Sequence, residues 1–295
     1  MSPTTTRLDA ELVRRGLARS RRRASELVAQ GQVRVAGLPA VRPSQRVGAD
    51  HPLEVLGSDD RYVSRAAHKL LGALDALEVL APGRVAVAGK RCLDVGASTG
   101  GFTQVLLERG AAHVYAFDVG HGQMDPTVAN DPRVTVREGA NARDLTVADV
   151  GDPVDLVVAD LSFISLTVVI EPMLGLTAAD STLLLMVKPQ FEVGRERIAS
   201  GVVGSPELRE EAVRGVAASA VTSGARVLGV VPSPLPGPAG NHEYFLWLDA
   251  RRAGKQPLAD AVPGTVHDDV LAAVRRAVRD DQPTLVTSAG TRVRS

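Results

Sequence analysis

The chain has a single cysteine, Cys92, so no disulfide can close within it, and a reducing compartment is expected. Its opening stretch, MSPTTTRLDAELVRRG, has no apolar signal core. No run approaches the roughly 18 uninterrupted apolar residues that a membrane helix needs. Alternating barrel strands are missing too, which speaks against a pore-forming protein. A cytoplasmic protein without membrane contact is therefore expected. There is no internal repeat and no long low-complexity tract, and nothing in the chain implies an obligate protein partner. Net charge is absent as well, because 34 Lys and Arg balance 34 Asp and Glu. What remains is 295 residues, 44% of them hydrophobic, which is enough for one large domain with a real core and a small one beside it.

The neutral total hides a basic block. Residues 7–50 carry ten Arg against Asp9, Glu11, Glu26 and Asp50. A basic block on a neutral chain points to a polyanion handled at that place. Residues 7–16 read as a short helix with Leu8, Leu12 and Val13 on one side. Ser20 can cap a second helix from Arg21 to Gln30, whose Ala24, Leu27 and Val28 recur at helical spacing, and Gly31 stops it. Val33-Arg34-Val35 and the stretch Pro52 to Leu56 read as a small hairpin. Arg21, Arg22 and Arg23 open the second helix, where they oppose its dipole. Facing phosphate would give them a purpose, with Arg7, Arg14, Arg15, Arg19, Arg34, Arg42 and Arg46 close by. The order and spacing of Arg7-Leu8-Asp9, Leu17 to Arg21, Ala24 to Val28 and Gly31 to Val35 resemble the S4-type RNA-binding module over residues 6–56. That resemblance implies binding of structured RNA by shape and backbone charge.

A polar joint from Gly57 to Arg61 leads to a helix over about 65–80, capped by Ser64, with Leu70, Leu74 and Leu77 inward. From Gly89 on, strands near 91–95, 113–118, 133–137, 154–159, 182–187 and 225–231 alternate with helices, as in a parallel sheet covered on both faces. Tyr244 to Leu248 follows a Pro- and Gly-rich loop with no crossover helix, so it is expected to run antiparallel. Residues 251–264 read as linker, 267–279 as a short amphipathic helix, and the last fifteen or so as disordered.

The stretch Cys92-Leu93-Asp94-Val95-Gly96-Ala97-Ser98-Thr99-Gly100-Gly101-Phe102 reads as strand, small-residue turn and helix. Such a turn brings backbone N–H groups and a helix start up to a ligand. Its spacing, D-x-G-x-x-x-G-G, differs from the dinucleotide pattern and suits S-adenosylmethionine, which has an adenosine ribose and an amino-acid end but no pyrophosphate. Asp118 closes the next strand about 20 residues on, the usual place for an acid that grips two ribose hydroxyls. Ligands of such sheets lie beyond the C-terminal strand ends, where Asp160 and Lys188 stand. An antiparallel last strand brings Glu243 to the same edge, and Lys69 lies within reach early in its helix. Two lysines held by two carboxylates can orient a ribose hydroxyl and stabilise the alkoxide that develops on it. This chemistry asks for no metal.

Five ordered blocks then carry a wider resemblance: Ser64 to Leu70, Asp94 to Phe102, Ala159 to Ser165, Val187 to Gly194 and Pro234 to Phe245. Over about residues 6–250 the chain resembles the TlyA family of rRNA 2′-O-methyltransferases, whose members are often called haemolysins. The resemblance implies a Rossmann-like class I S-adenosylmethionine-dependent fold, with a seven-stranded α/β sheet whose last strand is antiparallel. It implies a small α+β RNA-binding domain over 1–60, a linker at 61–64, a catalytic domain over 65–250, and an unmatched tail over 251–295. It implies a tetrad of Lys69, Asp160, Lys188 and Glu243, and cofactor contacts from Gly96, Ser98, Gly100, Gly101, Phe102, Asp118, Asn141, Ala142 and Asp160. RNA contacts are expected from Arg7, Arg21, Arg22, Arg23, Arg42 and Arg65. Members modify cytidine in ribosomal RNA of both subunits, which sensitises ribosomes to capreomycin- and viomycin-type antibiotics, and Tyr62-Val63 is implied to couple RNA binding to cofactor binding. The alternative is an RNA-binding assembly factor with a silent methyltransferase-like domain.

Overall fold

The computed structural model describes residues 5–18, 20–29, 31–55, 61–198, 201–250 and 267–286. Arg19, most of the joint 57–61, the linker 251–264 and the last nine residues lie outside the described residues. The chain divides into two compact units, Met1–Tyr62 and Val63–Ser295.

In the first unit, β1 (Thr5–Arg7) leads into α1 (Leu8–Arg14), followed by α2 (Arg21–Ala29), β2 (Val33–Val35), β3 (Leu38–Pro39), β4 (Arg46–Gly48) and β5 (Leu53–Val55). Ser20 Oγ accepts from the Arg23 N–H at 3.1 Å and so caps α2. Leu8, Leu12, Ala24, Leu27, Val33, Val35 and Val47 form the core. The expected hairpin is larger than the sequence pattern suggests. β2 pairs antiparallel with both β3 and β5, and β1 pairs antiparallel with β4. Strands of two or three residues carry too little alternation to be read from sequence.

The second unit opens with α3 (Ala66–Leu80), which buries Leu70, Leu74 and Leu77. Ser64 does not cap it with its side chain. Arg65 holds the cap position in a helical backbone conformation, and Ser64 contributes its carbonyl, accepting from the Ala67 N–H at 3.2 Å. The chain continues through β6 (Arg91–Val95), α4 (Gly101–Glu108), β7 (His113–Asp118), α5 (Pro126–Ala129), β8 (Val134–Glu138), α6 (Val147–Val150) and β9 (Val154–Ala159). Then come α7 (Ile170–Gly175), β10 (Thr177–Val187), α8 (Pro189–Glu192), α9 (Pro206–Thr222), β11 (Arg226–Pro232), β12 (Tyr244–Asp249), α10 (Asp268–Arg279) and β13 (Thr284–Leu285).

The sheet runs β13-β11-β12-β10-β9-β6-β7-β8. Strands β10, β9, β6, β7 and β8 are mutually parallel, and β12 is antiparallel to both β10 and β11. Among the described residues the sheet therefore has eight strands, not seven. Thr284–Leu285 pairs antiparallel with β11 and adds an edge strand where a disordered tail was expected. The crossovers α5 and α6 are single turns of four residues, shorter than the alternation implied. Strand order reverses between β6 and β9, the switch point where open α/β sheets leave a crevice. Each of these two strands is buried almost throughout, as expected for strands covered on both faces.

Candidate active site

The turn after β6 is built around backbone that only small residues tolerate. Gly96 has φ +84°, and a Cβ there would lie 2.9 Å from the Asp160 carbonyl oxygen. This lets the loop after β6 nest against the loop after β9. Ser98 adopts φ +45° and donates its N–H to Asp118 at 2.8 Å. The other Asp118 oxygen accepts from the Gly120 N–H at 2.7 Å. Beyond the strand ends opens a cavity of about 600 Å³ lined by Gly96, Ser98, Asp118, Asn141, Ala142 and Asp160.

Three of the expected cofactor residues lie elsewhere. Gly100, Gly101 and Phe102 are not in the cavity wall. α4 begins at Gly101, and that phase turns Phe102 inward, 2% exposed, to stack on Phe245 with ring centroids 6.0 Å apart. Gly101 serves packing: a Cβ there would meet Ser64 Oγ at 2.2 Å. Conversely, Gln123, Ser162 and Phe163 line the cavity without having been singled out. For Ser162 and Phe163 the available signal was their place directly after Asp160.

Beside this cavity two ion pairs meet at the sheet rim. Val187 of β10 pairs with Tyr244 of β12, so the residues just outside that pair, Lys188 and Glu243, emerge side by side. Lys188 Nζ lies 2.7 Å from Asp160 and donates to Ser162 Oγ at 2.9 Å. Lys69 Nζ donates to Glu243 at 2.5 Å and lies 3.9 Å from Met186 Sδ. Lys69, Lys188 and Glu243 are all buried. Glu243 sits against Gly237, where a Cβ would come within 2.6 Å of Oε1. Burying ionic groups is costly unless they are paired, and breaking such a pair costs more than the pair contributes.

Asp94, one strand position before the turn, is completely buried, and Thr103 Oγ1 donates to it at 2.6 Å. Burial pushes its carboxyl up to about 7, against the pull of the Thr103 hydrogen bond and with the charges of Asp160 and Asp118 adding to the rise. Burial likewise pushes the Cys92 thiol up to about 12, which leaves it unreactive.

In the first unit the arginines are not loose charges. Asp9, 4% exposed, accepts from Arg7 at 3.0 and 2.9 Å and from Arg21 at 3.1 Å, and these contacts hold its carboxyl down to about 2. Glu11 is held down to about 2 by Arg14 and Arg15 in the same way. Arg7 and Arg21 keep 44% and 60% of their side-chain surface exposed. The three-Arg run does not present a uniform face. Arg22 pairs with Glu26, and the Arg23 side chain is only 13% exposed and lies 3.8 Å from the same carboxylate. The helical register that exposes Arg22 turns Arg23 inward. Arg42 is exposed. Arg65, in the second unit, donates to the Pro236 carbonyl.

The FtsJ-like methyltransferase family profile matches residues 62–250, and the S4 domain profile matches residues 6–52. The 16S/23S rRNA (cytidine-2′-O)-methyltransferase TlyA of Mycobacterium tuberculosis is 54% identical over 261 residues, 87% of this chain and 95% of that protein. The chain belongs to the TlyA family of FtsJ-like methyltransferases. Hemolysin A of Brachyspira hyodysenteriae is 33% identical over 81% of this chain and 98% of that protein. A solved Streptococcus thermophilus structure that carries the name hemolysin superposes with a TM-score of 0.68 at 32% identity, over 94% of this chain and 96% of that one. As a TlyA-family enzyme the chain uses S-adenosylmethionine as methyl donor, and the cavity suits that ligand. Its volume falls within the range of about 300–1,000 Å³ usual for small-molecule sites. The close approach at Gly96 leaves backbone where a side chain would intrude, and acidic Asp118 and Asp160 face a ligand bearing ribose hydroxyls and cationic groups. Among the described residues of this TlyA-family chain, no helix is long and apolar enough to cross a membrane.

Proposed function

We propose that this chain transfers the methyl group of S-adenosylmethionine to the 2′-hydroxyl of cytidine in ribosomal RNA of both subunits, and that it works in the cytoplasm. The observation that carries this reading is the pair of buried ion pairs, Lys188–Asp160 and Lys69–Glu243, at the rim of the cofactor cavity. A ribose hydroxyl is too weak an acid to attack unaided at neutral pH. Lys188, fixed by Asp160 and Ser162, orients the hydroxyl and holds the charge that develops on its oxygen. Glu243 fixes Lys69 so that a second ammonium group adds to that field. When bound, S-adenosylmethionine supplies an already activated methyl group, so alignment is the main task left to the protein. Gly96, Ser98, Asp118, Asn141 and Ala142 hold the donor. The exposed Phe163, held at φ +66°, offers a ring face to an unstacked base. Arg7, Arg21, Arg22 and Arg42 take RNA phosphates. The TlyA relative's printed activity supports cytidine and both subunits as targets. Loss of this methylation is expected to lower sensitivity to capreomycin-type antibiotics.

The test is transfer of labelled methyl from S-adenosylmethionine to ribosomal RNA and to isolated subunits, with blocked ribose hydroxyls mapped afterwards. The wild type should mark cytidine riboses, and Lys188→Ala should mark none while binding RNA within about twofold of wild type. Donor and RNA binding without transfer by the wild type would favour a silent RNA-binding factor and overturn the proposal.

A further inference from the structure

Three charged side chains meet in the first unit. Asp9 lies in the first turn of α1 and is buried. Its Oδ2 accepts from Arg7 Nη2 at 2.9 Å and from Arg21 Nη2 at 3.1 Å, so one oxygen holds two guanidinium groups together. Its Oδ1 accepts from Arg7 Nε at 3.0 Å and from the Ala10 N–H at 2.8 Å. Both carboxylate oxygens are thus occupied, and the two-point contact fixes the plane of the Arg7 guanidinium. Arg7 ends β1 and Arg21 opens α2, so the carboxylate also joins two elements.

A carboxylate that did no more than staple these elements would turn its cations inward. Neighbouring Glu11 does so with Arg15, whose side chain is 20% exposed and whose remaining donors end on the carbonyls of Gly48, Ala49 and His51. At Asp9 the arrangement is different. Arg7 and Arg21 both stay exposed. Among the described residues, Arg7 Nη1 and Arg21 Nε and Nη1 donate to nothing.

We propose that Asp9 is a positioning residue for RNA, which holds Arg7 and Arg21 as one pre-set grip on a backbone phosphate. This rests on the reading above that both arginines take RNA phosphate. A free arginine loses several rotatable bonds' freedom when it binds, and that loss lowers affinity. The contacts to Asp9 impose the loss during folding, before RNA arrives. Charge counting alone points the other way. Neutralising a carboxylate beside two arginines adds one positive charge, which strengthens attraction to phosphate. Positioning and charge therefore predict opposite signs for the same substitution.

The experiment measures binding of labelled ribosomal RNA to the full chain over a salt series. Asp9→Asn should weaken binding about threefold to tenfold, the range expected when a long side chain must be immobilised anew. Arg7→Gln combined with Arg21→Gln, which leaves Asp9 with neutral donors, should weaken binding and flatten the salt dependence by about two counterions. Adding Asp9→Asn to that glutamine pair should cause no further loss. Equal or tighter binding by Asp9→Asn alone would overturn the proposal. So would a loss that repeats in the glutamine pair, because Asp9 would then act on the fold and not through the arginines. Unchanged binding and salt slope in the glutamine pair would instead overturn the reading of Arg7 and Arg21 as phosphate contacts, and the proposal with it.

Discussion

Replacing Asp94 by Asn removes a carboxyl group that the fold buries completely beside the cofactor turn. In the unfolded chain that group titrates near 3.9, whereas burial in the folded protein raises it to about 7. A raised carboxyl contributes stability that is fully present below the unfolded value and is lost as pH rises through the folded one. The full loss corresponds to three pKa steps, or about 4 kcal/mol at 1.36 kcal/mol per step. Between pH 5 and pH 9 the share lost is about 3 kcal/mol. The assay is urea unfolding of both proteins at these two pH values, followed by fluorescence of Trp247. That residue is the single tryptophan of the chain and is buried in β12, so the signal reports the second unit alone. Any constant cost of the Asn side chain appears at both pH values and cancels in the comparison. The wild type should lose about 3 kcal/mol more than Asp94→Asn on going from pH 5 to pH 9. Parallel behaviour of the two proteins would refute the reasoning, because it would mean that the folded carboxyl is hydrated and ionised throughout.

Two further outcomes are expected. Gly96→Ala places a methyl group 2.9 Å from the Asp160 carbonyl oxygen at φ +84°, strain of about 1–3 kcal/mol, and should weaken S-adenosylmethionine binding at least tenfold by calorimetry. A Kd within twofold of wild type would contradict it. Arg21→Ala combined with Arg22→Ala should weaken RNA binding and flatten its dependence on salt by about two counterions while sparing cofactor affinity, measured by filter binding over a salt series. An unchanged salt slope would show that these side chains do not reach phosphate.

Much of the rim was legible because a buried apolar strand that ends in a charge marks its own end. Asp160 and Lys188 stand directly after four- and five-residue apolar stretches, and the missing crossover before Tyr244 implied the reversal that brings Glu243 to the same edge. Phe102 was misplaced because its surroundings depend on helix phase: α4 starts at Gly101, which sends the next side chain inward. The arginine fork was hidden because Asp9 is two residues from Arg7 but twelve from Arg21, and only folding joins the three. Two residues at 284–285 carry no periodicity, so nothing in the sequence announced an eighth strand.

Because β12 runs against β10, the loop from Ser233 to Glu243 both departs from and returns to the catalytic side of the molecule. Its two ends are stitched together by the Ser233 N–H, which donates to the Glu243 carbonyl at 2.8 Å. Gly237 within this loop packs against the Glu243 carboxylate, and buried Asn241 accepts from the Val203 N–H at 2.9 Å, so the loop's length and shape are tied to the ion pair that Glu243 makes with Lys69. A change of length here that moved Gly237 would thus reach the reacting rim while leaving the donor cavity, which this loop does not line, as it is.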